Sequence, residues 1–203
     1  MDDAALWRLM EAVASADSAA VRRLLTTFPA LANAALNGGA ADHFLTEIKH
    51  QVYTGDTALH VAAAAHRPEI ARELVSLGAD VTARNRRGAT PLHYAADGIP
   101  GAPSWNPASQ SATVALLIAS GADPNAIDHN GVTSLHRAVR TRCAAAVSAL
   151  LDGGADALRK NGNGSTPMIL ATRQTGRSGS GSPEAKTQQA EILRLLERYR
   201  ATP

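Results

Sequence analysis

Apolar positions in this chain come in short helical bursts separated by polar turns, and the bursts recur in pairs. Leu6, Leu9, Met10 and Val13 stand three and four residues apart, and Ala20-Val21-Arg22-Arg23-Leu24-Leu25 follows as a second burst. Such spacing places apolar side chains on one face of a helix. Later runs such as Val114-Ala115-Leu116-Leu117-Ile118 and Val147-Ser148-Ala149-Leu150-Leu151 repeat the second burst, and each is closed by Gly-Ala-Asp: Gly78-Ala79-Asp80, Gly121-Ala122-Asp123 and Gly154-Ala155-Asp156. Glycine can take the left-handed conformation that ends a helix. The pattern predicts pairs of short helices joined by polar turns.

The first helix of each pair opens on a recognisable box. Gly55-Asp56-Thr57-Ala58-Leu59-His60 returns as Gly88-Ala89-Thr90-Pro91-Leu92-His93, as Gly131-Val132-Thr133-Ser134-Leu135-His136, and loosely as Gly164-Ser165-Thr166-Pro167-Met168-Ile169. Thr57, Thr90, Thr133 and Thr166 are separated by 33, 43 and 33 positions, a period of 33 with one insertion of ten. Threonine suits a helix cap, and proline at the first helical position loses no needed donor. One such unit buries too little apolar surface to stand alone, so the units must stack.

The Thr-Pro-Leu-His box, the Leu-rich second helix, the terminating glycine and the polar turn resemble the ankyrin repeat. The resemblance implies an all-α solenoid of about five helix-turn-helix units with short hairpin-like connections. The units fall at about 3–35, 54–86, 87–129, 130–162 and 163–200, in one domain over 1–203. Three insertions interrupt them, at about 36–53, 97–106 and 174–185. In the first, Phe44, Leu45, Ile48 and Val52 step by three and four after Asp42, which suggests a short amphipathic helix whose off-stripe His43, Lys49 and His50 form a solvated face in preference to lining a site. The second holds two prolines and two glycines, which forbid regular structure, and Asn106 before Pro107 reads as the cap of a long second helix. The first unit lacks the box, as a terminal repeat with one face in water would, and Trp7, Arg8 and Glu11 read as cap adaptations.

Composition narrows the function. Aromatic content of 3% fits a core of Ala and Leu between closely packed helices, and 203 residues leave no room beside five units for a catalytic domain. A single cysteine, Cys143, excludes an internal disulfide and a multi-cysteine metal site and favours a reducing compartment. No secretory signal and no membrane-spanning run is visible, so a cytoplasmic location is expected. Net charge is +2 but uneven: residues 1 to 83 carry six basic and ten acidic side chains, residues 84 to 177 ten basic and five acidic. The middle of the solenoid is positive and its beginning negative.

Catalytic constellations are not recognisable. His60, His93 and His136 occupy the box position that, by the resemblance, fixes the local turn through hydrogen bonds. His43, His50, His66 and His129 show no metal-ligand spacing, and no metal or cofactor is expected. The Gly-rich stretch Thr175 to Gly181 lacks the Gly-Lys-Ser/Thr ending of a phosphate loop, and Cys143 beside Arg142 has no base placed near it. Candidate binding residues remain. The resemblance puts the position after the box histidine on the concave face: Val61, Tyr94, Arg137 and Leu170, with Arg140 and Arg173 one turn further. Arg84, Arg86 and Arg87 form the densest basic finger, and His129 lies on the next one. Trp105 either pins the second insertion or anchors a ligand.

The resulting expectation is a non-catalytic, monomeric protein-interaction module binding an acidic or mixed polar protein partner through its concave face and fingers. Few aromatics and a small net charge argue against nucleic acid. The alternative is a small-molecule or anion binder, or an enzyme, using a notch between the insertions of the third and fifth units, with Trp105, Arg140, Arg142 and Arg177 facing it.

Overall fold

The structure, a computed structural model, describes residues 3–37, 43–173 and 183–201. Ten α-helices among these residues fall into five successive pairs: α1 (Asp3–Ala14) with α2 (Ser18–Thr27), α3 (Ala58–Ala64) with α4 (Pro68–Ser76), α5 (Pro91–Ala95) with α6 (Pro107–Ala119), α7 (Ser134–Thr141) with α8 (Ala144–Asp152), and α9 (Pro167–Thr172) with α10 (Pro183–Ala201). First helices stack on first helices, α3 on α5 and α5 on α7. Second helices stack likewise, α4 on α6, α6 on α8 and α8 on α10. The chain is an all-α solenoid of the expected kind.

The box carries the stack as well as the local turn. Thr57 accepts from the backbone N–H of His60, and His60 Nδ1 accepts from the N–H of Thr57 at 3.2 Å, a reciprocal cap. The other ring nitrogen, Nε2, then donates to the carbonyl of Ala89 in the next unit at 3.1 Å. His93 repeats this with Thr90 and the carbonyl of Val132 at 2.9 Å, and His136 with Thr133 and the carbonyl of Ser165 at 3.0 Å. Each imidazole therefore bolts one repeat to its successor, and all three are buried. The box leucines Leu59, Leu92 and Leu135 are fully buried beneath them, with small Ala62, Ala95 and Ala138 allowing close helix approach.

The second helices end as the glycines require. Gly78, Gly121 and Gly154 adopt φ of +87°, +100° and +89°, a region unfavourable for residues with a Cβ. Asn106 caps α6 by accepting from the N–H of Ser109 at 3.0 Å. In the first unit Leu6, Leu9, Met10 and Val13 are buried, while Arg8 and Glu11 are exposed.

The first insertion folds differently from the helix its apolar spacing predicts. Its described part is a β-hairpin, not an amphipathic helix: β1 (His43–Leu45) pairs antiparallel with β2 (His50–Val52), His43 opposite Val52 and Leu45 opposite His50. The turn passes through Lys49 at φ +50°. Leu45 and Val52 share the buried face of the hairpin, whereas Phe44, which a helical stripe would bury, is exposed. His50 lies on that inner face too, and its ring packs edge-on against Tyr94 with centroids 4.6 Å apart. It is not on a solvated helix face.

Candidate functional site

The face formed by the first helices and the fingers holds a cavity of about 340 Å³, and the β-hairpin of the first insertion closes one side of it. The hairpin supplies His50, Gln51 and Tyr53; α5 and the residues after it supply Tyr94 and Asp97. The fingers supply Arg87, Asp128, Asn130 and Val132, and α7 supplies Arg137 and Arg140.

Its electrostatic centre is Arg137. One Nη donates to Asp97 and the other to Asp128, both at 3.1 Å, and the side chain is only 11% exposed. Burial opposes the charge on Arg137, but the two carboxylates outweigh it and hold the guanidinium firmly protonated. Burial likewise works against the Asp128 carboxylate, yet the N–H groups of Val132 and Asn130 together with Arg137 keep it below the usual carboxylate range. Arg140, exposed at the mouth, lies 3.8 Å from the second oxygen of Asp97.

A register rule underlies this pairing. Asn85, Asp128 and Asn161 occupy the same place on successive fingers, and each uses Oδ1 to accept two backbone N–H groups of its own turn. At Asn85 and Asp128 the second side-chain atom meets the residue nine positions later, just after the box histidine. Asn85 Nδ2 donates to Tyr94 Oη at 2.8 Å, and Asp128 Oδ2 takes Arg137. The Asn-to-Asp change and the Tyr-to-Arg change are two halves of one contact.

Beneath Tyr94 lies Asp56, which accepts from the N–H of Tyr53, from Asn85 Nδ2 and from Tyr94 Oη. Burial still pushes its carboxyl up to about 6. Burial also drives the His50, His60 and His93 imidazoles down to about 4, so they are neutral near pH 7.

Of the residues singled out from the sequence, Arg87, Tyr94, Arg137 and Arg140 come together at this cavity. Tyr94 and Val61 are buried rather than presented. Arg86 and Arg87 are exposed and lie over the Tyr53 ring at 5.1 and 4.7 Å, and Arg87 also donates to Tyr53 Oη. Arg84 instead braces two fingers, donating to the carbonyls of Gly88 and Ile127. His129 and Arg173 are exposed away from the cavity lining. Trp105 donates to Gln110 Oε1 at 3.0 Å, and Gln110 donates on to the carbonyl of Ala95, which ties the second insertion to α5 and α6. Arg142 is buried at the left-handed end of α7, and Arg177 lies outside the described residues. Of the notch set, Arg140 lines this cavity and Trp105 and Arg142 do not. Burial pushes the Cys143 thiol up to about 11, the opposite of an activated nucleophile.

Sequence reasoning missed Tyr53, Asp97 and Asp128, and it set His50 on a helix face in preference to a site. Asp128 had a signal, the lone acid at a finger position held elsewhere by Asn; the hairpin residues had none once the insertion was read as a helix.

No described helix is long and apolar enough to cross a membrane. Among the described residues no group of three or more His, Cys, Asp or Glu side chains is arranged to hold a metal ion. A family model described as ankyrin repeats (3 copies) matches residues 9–101 and 106–182. The chain is 34% identical over 128 residues to mouse ankyrin repeat and SOCS box protein 16, covering 63% of this chain and 28% of that protein. It is 31% identical over 167 residues to human neurogenic locus notch homolog protein 1, covering 70% and 6%. With bovine mitochondrial disaggregase it shares 30% identity over 184 residues, covering 73% and 26%. The chain spans less than a third of each of these relatives.

Proposed function

The chain belongs to the ankyrin-repeat family, and from this we propose that it is a non-catalytic protein-interaction module whose acidic or mixed polar partner docks on the face of the first helices and fingers. Ankyrin repeats are generally protein–protein interaction modules, and a solenoid offers a long surface for that purpose. The observation that carries the reading is the concentration of departures from the repeat on one face. Arg87 and Arg140 at the cavity mouth, with Arg86 beside them, are exposed guanidinium groups suited to carboxylates. Arg84 has a bracing role and is left out of the docking set.

The test is charge reversal at Arg86, Arg87 and Arg140 together, measured against the cognate partner by surface plasmon resonance at several salt concentrations. Steering arginines at a rim act mainly on the association rate. The association rate should fall about tenfold or more and lose most of its salt dependence, with an unchanged melting transition. Unaltered kinetics and salt slope remove this face from the interaction.

A further inference from the structure

The cavity holds more positive than negative charge, and the excess lies on its accessible side. Among the lining side chains three guanidinium groups, Arg87, Arg137 and Arg140, face two carboxylates, Asp97 and Asp128. His50 adds no charge near pH 7, because burial holds its imidazole down to about 4. Arg137 and Asp128 neutralise each other inside the wall: they pair at 3.1 Å, with side chains 11% and 6% exposed. An incoming group therefore meets Arg87, Arg140 and the part of Asp97 that stays exposed. Arg140, with 42% of its side chain exposed, touches Asp97 only through an ion pair at 3.8 Å, too long for a hydrogen bond, so its donors stay available.

The hairpin and the fingers position the rest. Arg87 lies over the Tyr53 ring at 4.7 Å and donates to Tyr53 Oη at 3.1 Å, a neutral partner that orients the guanidinium without cancelling its charge. Asn130 stands at the matching place on the next finger, just ahead of the box as Arg87 is, and the N–H of His129 beside it donates to the carbonyl of Arg87 at 3.0 Å. The Asn130 side chain is exposed and makes no hydrogen bond among the described residues. Arg87, Asn130 and Arg140 thus present reachable donors to one cavity.

We propose that this cavity seats one carboxylate of an acidic segment of the partner, an Asp or Glu side chain entering between Arg87 and Asn130 on the fingers and Arg140 on α7. The seat rests on the docking reading and narrows it from a face to one position and one charge. A single uncompensated positive charge matches a monoanion, and a carboxylate is an acceptor-only group suited to guanidinium and amide donors. A phosphate dianion would bring a second negative charge against Asp97 with no cation left to balance it. An ammonium would meet Arg87 and Arg140 with like charge. Tyr53 and Val132 on the wall of the 340 Å³ cavity supply apolar surface for the methylene stem of the entering side chain.

The test titrates the whole chain, labelled with 15N, with a blocked peptide carrying one Glu between glycines, its Gln and phosphoserine counterparts, and acetate. The Glu peptide should move the Asn130 side-chain NH2 and the Arg87 and Arg140 Nε–H resonances saturably, with a Kd about tenfold or more below that of the Gln peptide and below that of the phosphoserine peptide. Arg87→Met and Arg140→Met should each weaken the Glu peptide about fivefold or more with an unchanged melting transition. Tyr53→Phe keeps the ring but removes the hydroxyl that orients Arg87, and it should lower the preference for Glu over Gln without altering the Gln peptide. The wild-type comparison stands even if a variant is unstable. No saturable shift, equal affinity for the Glu and Gln peptides, or tighter binding of the phosphoserine peptide overturns the proposal. Acetate binding as tightly as the Glu peptide also overturns it, in favour of a free small carboxylate. The docking reading fails separately: Glu-peptide binding beside partner kinetics untouched by the charge reversal supports the carboxylate seat and removes the partner from it. A failed Glu titration beside slowed association overturns the seat and leaves the docking face.

Discussion

Acidification should dissolve the stack from within. Near pH 7 the imidazoles of His60, His93 and His136 work as neutral connectors: Nδ1 accepts from the Thr N–H and Nε2–H donates to the carbonyl of the next repeat. A second proton would put a donor where Nδ1 must accept, inside a buried site. His60, His93 and the cavity residue His50 accordingly fall from 6.5 to about 4 through burial, and His66 and His136 shift the same way. The folded pKa lies below the unfolded one, so the unfolded chain takes up protons first as pH drops below 6.5. The stability is present above 6.5 and is lost progressively down to about 4. A fall from 6.5 to about 4 is worth about 3 kcal/mol per imidazole, or about 10 kcal/mol for His50, His60 and His93 together. Asp56 acts in the opposite sense. Its carboxyl is raised from 3.8 to about 6, so protonation in the folded state returns about 3 kcal/mol over nearly the same window. The histidines win, leaving a net loss near 7 kcal/mol at about pH 4, comparable with the whole stability of ~5–15 kcal/mol typical of a domain. Urea denaturation followed by circular dichroism, stepped from about pH 7 to about pH 4.5, should show the midpoint falling steeply below pH 6.5. His93→Gln should be less stable at neutral pH but show a shallower pH slope. A midpoint that is flat or rises over this interval would refute the neutral-connector account.

Three further outcomes follow from packing and pairing. Leu92→Ala and Leu135→Ala, each emptying a fully buried box position, should each cost about 2 to 5 kcal/mol in urea denaturation. Asn106→Ala, which removes the side-chain acceptor for the N–H of Ser109, should cost about 1 kcal/mol. A double-mutant cycle of Asp128→Asn with Arg137→Leu should give a coupling of about 1.5 to 3 kcal/mol, because Asn keeps the turn contacts of Oδ1 and removes only the charged partner of Arg137; additive effects would deny that the two changes form one contact.

The repeat was legible because its signals are redundant. Thr, Leu, His and the terminating Gly each recur at one interval, and each has a physical role that the structure bears out in the cap, the core, the bolt between units and the left-handed turn. The first insertion was not legible, because Phe44, Leu45, Ile48 and Val52 in nine residues fit a helical step as well as two strands of three. The deciding facts, the turn at Lys49 and the burial of the hairpin against the repeats, are tertiary. Four of the eleven residues lining the cavity were singled out in advance, Tyr94, Arg137 and Arg140 because they stand at repeat positions with a known facing and Arg87 because it lies on the basic finger. Asp97 and His50 sit in insertions, where no register tells which way a side chain points.

On the proposed reading, this protein meets its partner on the face of the first helices and fingers. Hydrogen exchange of the chain with and without its cognate partner tests it most directly. Exchange should slow in His50 to Tyr53, in Arg86 and Arg87, and in Asp128 to Asn130, with the exposed surfaces of α4, α6 and α8 unchanged. Protection confined to those second helices, with the fingers and hairpin exchanging as in the free protein, would contradict it.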